Sequence, residues 1–121
     1  MKLGASRVVG AAWPDRARDD GRMVIEHGAI NVVPGQEAAF EAAYAEAAKV
    51  IAQSPGFQFV RLSRGIERPS AYLLLVGWDS VDDHVMGFRG SDLFRQWRAL
   101  IGPYFDGDPV VEHYEGDITG L

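Results

Sequence analysis

The stretch AYLLLVGW, residues 71 to 78, carries no charge and is apolar on both alternating sets of positions, and it limits the possible folds more than any other segment. Side chains of a strand point alternately to its two faces. A strand in a sheet with one wet face therefore alternates apolar and polar residues, and this one does not. Both of its faces need cover.

The flanking segments supply cover for one face. MVIEHGAINVV (23–33) is rich in β-branched residues and reads as a strand, and PGQ (34–36) turns it into EAAFEAAYAEAAKVIA, whose alanines and glutamates favour a helix. Phe40, Tyr44, Ala47, Ala48 and Ile51 recur on one face of that helix at helical spacing. Pro55 and Gly56 in QSPGF end it. FQFVRLSRGI (57–66) is a second strand, and the turn ERPS makes it the hairpin partner of AYLLLVGW. Ser80 is placed to cap a further helix, with Asp83 three positions on completing a capping box. Gly90 interrupts that helix and Ser91 can cap a second segment, in which Leu93, Phe94, Trp97, Leu100, Ile101 and Tyr104 share a face. PVVEHYEGD (109–117) is the last strand.

Strand, helix, strand, strand, helix, strand, joined by right-handed crossovers, predicts an α+β fold: a ferredoxin-like antiparallel βαββαβ sheet with both helices on one face. The other face of the sheet still needs a cover. The favoured one is the same face of a second copy, giving a homodimeric α/β barrel. The alternatives are residues 1–22 folding back over the sheet, or a central strand with a modest exposed patch.

Residues 1–22 differ from the rest. They carry five Lys/Arg against three Asp, while residues 23–121 carry seven Lys/Arg against fourteen Asp/Glu. PDRARDDGR (14–22) has almost nothing to bury, so 1–22 is expected to be an N-terminal arm, dispensable to the domain at 23–117, with 118–121 a short tail. VVGAAW (8–13) is too short for the apolar part of a signal peptide, and no segment reaches the length of a membrane span, so no membrane partner and a cytoplasmic location are expected. The acidic body argues against nucleic acid, whose binding rests on Lys and Arg neutralising phosphates. The absence of cysteine removes disulfides, thiolate nucleophiles and zinc–thiolate sites together.

With this order of elements, INVVPGQEAAFEAAY, VGWDSVDDHVMGFRGSDLFRQW and PVVEHYE together resemble the antibiotic biosynthesis monooxygenase domain family over roughly residues 23 to 117. The resemblance implies a small dimeric α/β barrel with a pocket between the sheet and the helices of each subunit. It covers cofactor-free oxygenases acting on polyketide or quinol-like aromatics, heme-degrading enzymes and proteins of unknown activity. The heme-degrading pattern fails at three positions: Gly28 stands in place of an asparagine, Phe88 in place of a tryptophan, and Arg98 in place of the iron-ligating histidine. Arginine stays protonated and does not ligate iron as an imidazole does. Heme degradation is therefore disfavoured.

A cofactor-free oxygenase needs a base, a cation or donor for the resulting anion, and a dry aromatic pocket. The candidate bases are the three histidines, His27, His84 and His113, with His27 and His113 expected on neighbouring antiparallel strands and so close together. Arg98 and Arg61 are candidate anion stabilisers. For each of these the plainer alternative is a solvated side chain or a surface ion pair. Phe88, Trp97 and Tyr104 are the candidate substrate-binding aromatics, on the helix that would roof the pocket. No cofactor is expected, and no metal: His113 and Glu115 share a strand face, but two ligands are too few. The expected partner besides a second copy is a small apolar or aromatic molecule. The first functional reading is thus a cofactor-free monooxygenase of a small aromatic, polyketide or quinol-like substrate. The second is a non-catalytic dimeric module binding a small ligand.

Overall fold

The computed structural model describes residues 7–8 and 23–119. Its strands are β1 (Arg7–Val8), β2 (Val24–Asn31), β3 (Phe57–Arg64), β4 (Ala71–Trp78) and β5 (Val110–Glu115), and its helices α1 (Glu37–Ile51) and α2 (Asp92–Ile101). They form one sheet in the order β1-β5-β2-β4-β3. Strands β2 to β5 pair antiparallel in the ferredoxin-like arrangement that the sequence predicts. β1 adds a parallel two-residue edge beside Val110 and Val111. The rest of the expected arm, and residues 120–121 of the tail, lie outside the described residues.

Helix α1 forms where alanine and glutamate dominate, with Glu37 in its first turn and Lys49 in its last, each favourably placed in the helix dipole. It buries Phe40, Ala47 and Ile51 against the sheet. Phe40 meets Tyr72 of β4 edge to face at 4.9 Å between centroids. β4 turns Tyr72, Leu74, Val76 and Trp78 toward the helices, and all four are buried. Its other face, with half-buried Leu75 and 36% exposed Leu73, has no covering layer among the described residues; Met23 and Tyr114 lie exposed on neighbouring strand positions.

The segment after β4 departs from expectation. Ser80 does cap it, its Oγ accepting from the Asp83 N–H at 3.1 Å. Residues Asp83–Phe88 then form a wide π-helical turn rather than an ordinary helix, with the Arg89 N–H donating to the His84 carbonyl at 2.9 Å. The rings of Trp78, His84 and Phe88 stack on one another there, with Trp78 centroids 5.4 Å from His84 and 5.5 Å from Phe88. A π turn is intrinsically poor and persists where such packing outweighs it. Ser91 stands at the N-cap of α2, but its hydroxyl donates back to the Phe88 carbonyl at 2.7 Å, closing the π turn instead of capping α2.

Gly56 lets this turn sit down on the sheet. Its φ is +84°, and a Cβ there would come within 2.4 Å of the Asp83 carboxyl. Gly107 also has φ +84° but faces open space. Gly107→Ala should therefore cost only the left-handed backbone penalty, about 1–2 kcal/mol. Gly56→Ala should cost distinctly more in a urea titration; equal losses would show that the Asp83 contact does not constrain the turn.

Candidate functional site

Between the sheet and the second helical layer lies a narrow, largely filled cleft with about 20 Å³ of free space, room for about one water. Glu26, Gly28, Leu74 and Val111 form its floor, and Gly28 contributes no side chain where its strand neighbours would fill the space. Phe88 and Trp97 form its roof, at 6.2 Å between ring centroids. Arg98 and Phe105 line it further along, with the Arg98 head 5.0 Å from the Phe105 ring centroid.

At one end of the cleft, a chain of polar groups crosses three structural elements. Glu26 of β2 is 6% exposed, His84 of the π turn 3%, and His113 of β5 is half-buried. The Trp78 Nε1–H donates to Glu26 Oε1 at 3.0 Å. His84 Nε2 lies 3.2 Å from the same oxygen. His84 Nδ1 and His113 Nε2 share a hydrogen bond of 2.8 Å. Burial dominates the titration of all three. It raises the Glu26 carboxyl above its ordinary range, lowers His84 to about 3 and lowers His113 to about 4. Both imidazoles are therefore neutral at pH 7, and the hydrogen placement follows from the acceptor. An ionised Glu26 draws a hydrogen onto His84 Nε2, so His84 Nδ1 accepts and His113 Nε2 donates.

The three groups run in a line, because His84 faces its two neighbours through opposite ring nitrogens. They do not converge on one point, and no group of three His, Cys, Asp or Glu residues among those described is arranged to hold a metal.

Of the histidines singled out in the sequence, the structure brings His84 and His113 together and leaves His27 apart. His27 and His113 do stand on neighbouring strands, but the register pairs His113 with Glu26 and His27 with Glu112. One residue of parity puts His27 on the opposite face of the sheet, edge to face with Tyr114 at 5.7 Å. Arg61 is exposed on β3, over the Phe59 ring at 5.4 Å and away from the cleft. Phe88, Trp97 and Arg98 line the cleft, whereas Tyr104 does not: its ring packs toward Phe40 and the adjacent Phe105 takes the lining position. Glu26 and Arg89 also line the cleft and were not singled out from the sequence. The signal for Glu26 was its place in the alternation Val24, Glu26, Gly28, Ile30, where a carboxylate sits on an otherwise inward, uncharged set.

The antibiotic biosynthesis monooxygenase family model matches residues 23–100. The chain is 38% identical over 93 residues to the uncharacterized protein YczJ of Bacillus subtilis, a match covering 77% of this chain and 98% of that protein. It is 40% identical to a Bordetella bronchiseptica protein of known structure named after the same family, with a TM-score of 0.78 and coverage of 80% and 99%. SnoaB, a cofactor-independent oxygenase from Streptomyces nogalater, superposes with a TM-score of 0.64 over 83% of this chain and 96% of its own. At 20% identity that likeness is one of fold.

The buried histidines set a pH dependence of stability. Their folded affinity for protons is lower than the unfolded one, so their contribution is present above the ordinary histidine value and lost as pH falls toward the folded values of about 4 and 3. Glu26 acts in the opposite sense, its contribution being lost as pH rises through its raised folded value. Unfolding free energy should therefore decline from about pH 6.5 to 5, above the range in which ordinary carboxylates titrate. His84→Gln should flatten that decline in denaturant titrations across pH; an unchanged slope would contradict the neutral, buried assignment.

Proposed function

The chain belongs to the antibiotic biosynthesis monooxygenase family, and from that premise we propose that it is a cofactor-free monooxygenase of a small aromatic or quinol-like substrate, with Glu26 as its base. The observation that carries this reading is a buried carboxylate at the wall of an aromatic cleft, held by Trp78 and backed by two neutral histidines. Burial raises the proton affinity of Glu26 above that of an ordinary carboxylate, which makes it a stronger base. His84 and His113 position it: both nitrogens of His84 are engaged, so the carboxylate is the acceptor left facing the cleft.

The chemistry balances without a further reactant. Glu26 takes a proton from an activated CH2, and the carbanion forms a C–O bond with dioxygen. The carboxyl returns its proton to give the hydroperoxide, and as the O–O bond breaks the second C–H proton is lost and joins the departing hydroxide as water, so that CH2 and O2 become C=O and H2O. Arg89, whose charge is felt at Glu26, His84 and His113, stands where it can stabilise the anions. Phe88 and Trp97 keep the site dry.

Oxygen uptake by the metal-free protein, offered anthrone-like and quinol substrates at an oxygen electrode, tests the reading. Glu26→Gln should lower uptake by about a hundredfold or more, the usual scale for loss of a positioned base. His84→Ala and His113→Ala should each lower it, and His27→Ala, on the other sheet face, should leave it unchanged. No uptake with any substrate would favour the small-ligand-binding module instead.

We further propose that the chain is a homodimer joined through the open face of β4. Its support is the apolar surface around Leu73 and Leu75 in a chain of this family. Leu75→Arg should convert the species seen by light scattering to a monomer; a wild-type monomer at all concentrations would overturn the proposal.

A further inference from the structure

The two cations of the cleft are unpaired. In a body with seven basic residues against fourteen acidic ones, Arg89 and Arg98 both line the same cleft, and among the described residues neither forms an ion pair. Each guanidinium lies instead over an aromatic ring, Arg89 over Phe94 at 5.4 Å and Arg98 over Phe105 at 5.0 Å. Arg98 Nη1 is buried and has no hydrogen-bond partner. A buried donor of a charged group left without an acceptor is unfavourable, and an anion in the cleft would relieve it.

The charges are also ordered along the cleft. Arg89 follows the π turn that carries His84, its N–H on the His84 carbonyl at 2.9 Å, whereas Arg98 stands further along α2 with its head over Phe105 at 5.0 Å. The succession is therefore Glu26, Arg89, Arg98, with an anionic group at the first position and a donor lacking an acceptor at the last. An anion entering this cleft meets the buried Glu26 carboxyl at one end and the unpartnered Nη1 of Arg98 at the other.

We propose that the cleft selects aromatic acids: Phe88 and Trp97 shift to admit the ring between them, its carboxylate is taken by the fork of Arg98, and the reactive carbon or hydroxyl is turned toward Glu26. A planar guanidinium suits a carboxylate through two parallel N–H···O bonds, which fix orientation as well as adding affinity. The same polarity aligns the substrate for the proton transfer. As a statement about the substrate, this deepens the oxygenase reading and rests on it.

The test is binding of matched acid and amide pairs to the full chain: benzoate against benzamide, and 2,5-dihydroxybenzoate against its primary amide, by NMR titration. The acids should bind about tenfold or more tightly than the amides, a difference of about 1.4 kcal/mol. Arg98→Met should abolish that preference, and Arg61→Met, on the other sheet face, should preserve it. Equal binding of acids and amides, an acid preference that survives Arg98→Met, or no binding of either acid at millimolar concentration would overturn the proposal. Should Arg98→Met fail to fold, Arg98→Lys keeps the charge without the fork and should retain only part of the preference; an unchanged preference would overturn it as well. Acid-selective binding with no oxygen uptake would remove the oxygenase reading and leave the anion site standing, whereas oxygen uptake from neutral substrates without acid selectivity would do the reverse.

Discussion

A carboxylate taken out of water at the middle of a sheet is the constraint around which this protein is organised. Glu26 is 6% exposed, and a charge in that position is tolerated only with donors close by. Two donors reach it, from Trp78 and His84, and His113 supports it at one remove through its hydrogen bond to His84. Trp78 ends β4, His84 opens inward from the π turn, and His113 stands opposite Glu26 on β5. The π turn brings His84 into the stack on Trp78, and the glycine at position 56 gives that turn room. Removing any one of these features leaves a buried charge without part of its support.

The same arrangement raises the proton affinity of the carboxylate. A fully compensated Glu26 would be a weak base, held ionised by a nearby cation. Here its close partners are a neutral indole and neutral imidazoles, and burial outweighs their help, so its proton affinity rises. Arg89 opposes this shift from a distance, enough to assist an anion without locking the carboxylate into a salt bridge. The cleft thus has an acceptor of protons at one end and donors at the other, under an aromatic roof. The open second face of the sheet is a separate surface, with His27, Leu73, Leu75 and Tyr114 on the far side from this chemistry.

The order of elements was legible because it rests on local patterns. Alanine and glutamate at 37–52, β-branched runs at 23–33 and 57–66, and glycine or proline at most boundaries, with Ser80 after β4, specify helix, strand and turn through backbone preferences that do not depend on distant contacts. The π turn was not legible, since nothing in DDHVMGFRG favours a wider helix until the ring of Trp78 is there to stack on. Ser91 has the residue type of a cap, yet its hydroxyl closes the preceding turn, a choice decided by that turn's geometry. Phe88 and Trp97 were singled out as large aromatics of the helix that the family resemblance sets over the pocket, and Arg98 as a neighbour of that helix's apolar face, while Tyr104 and Phe105 exchanged roles because the chain leaves α2 through a short 3-10 turn at Gly102–Tyr104.

The histidines show where sequence stops. By itself the sequence determined the elements, their order and the parity within each strand, so Glu26 and His27 were bound to face opposite ways whatever the fold. It did not determine which face of β2 looks toward the helices or which residue of β5 stands opposite which of β2, because register is a property of pairing between strands and not of either strand alone. Only the tertiary structure decided that His113 meets Glu26, that His84 joins them from a segment 58 residues after Glu26 in the chain, and that burial would turn these side chains into one coupled, low-dielectric site.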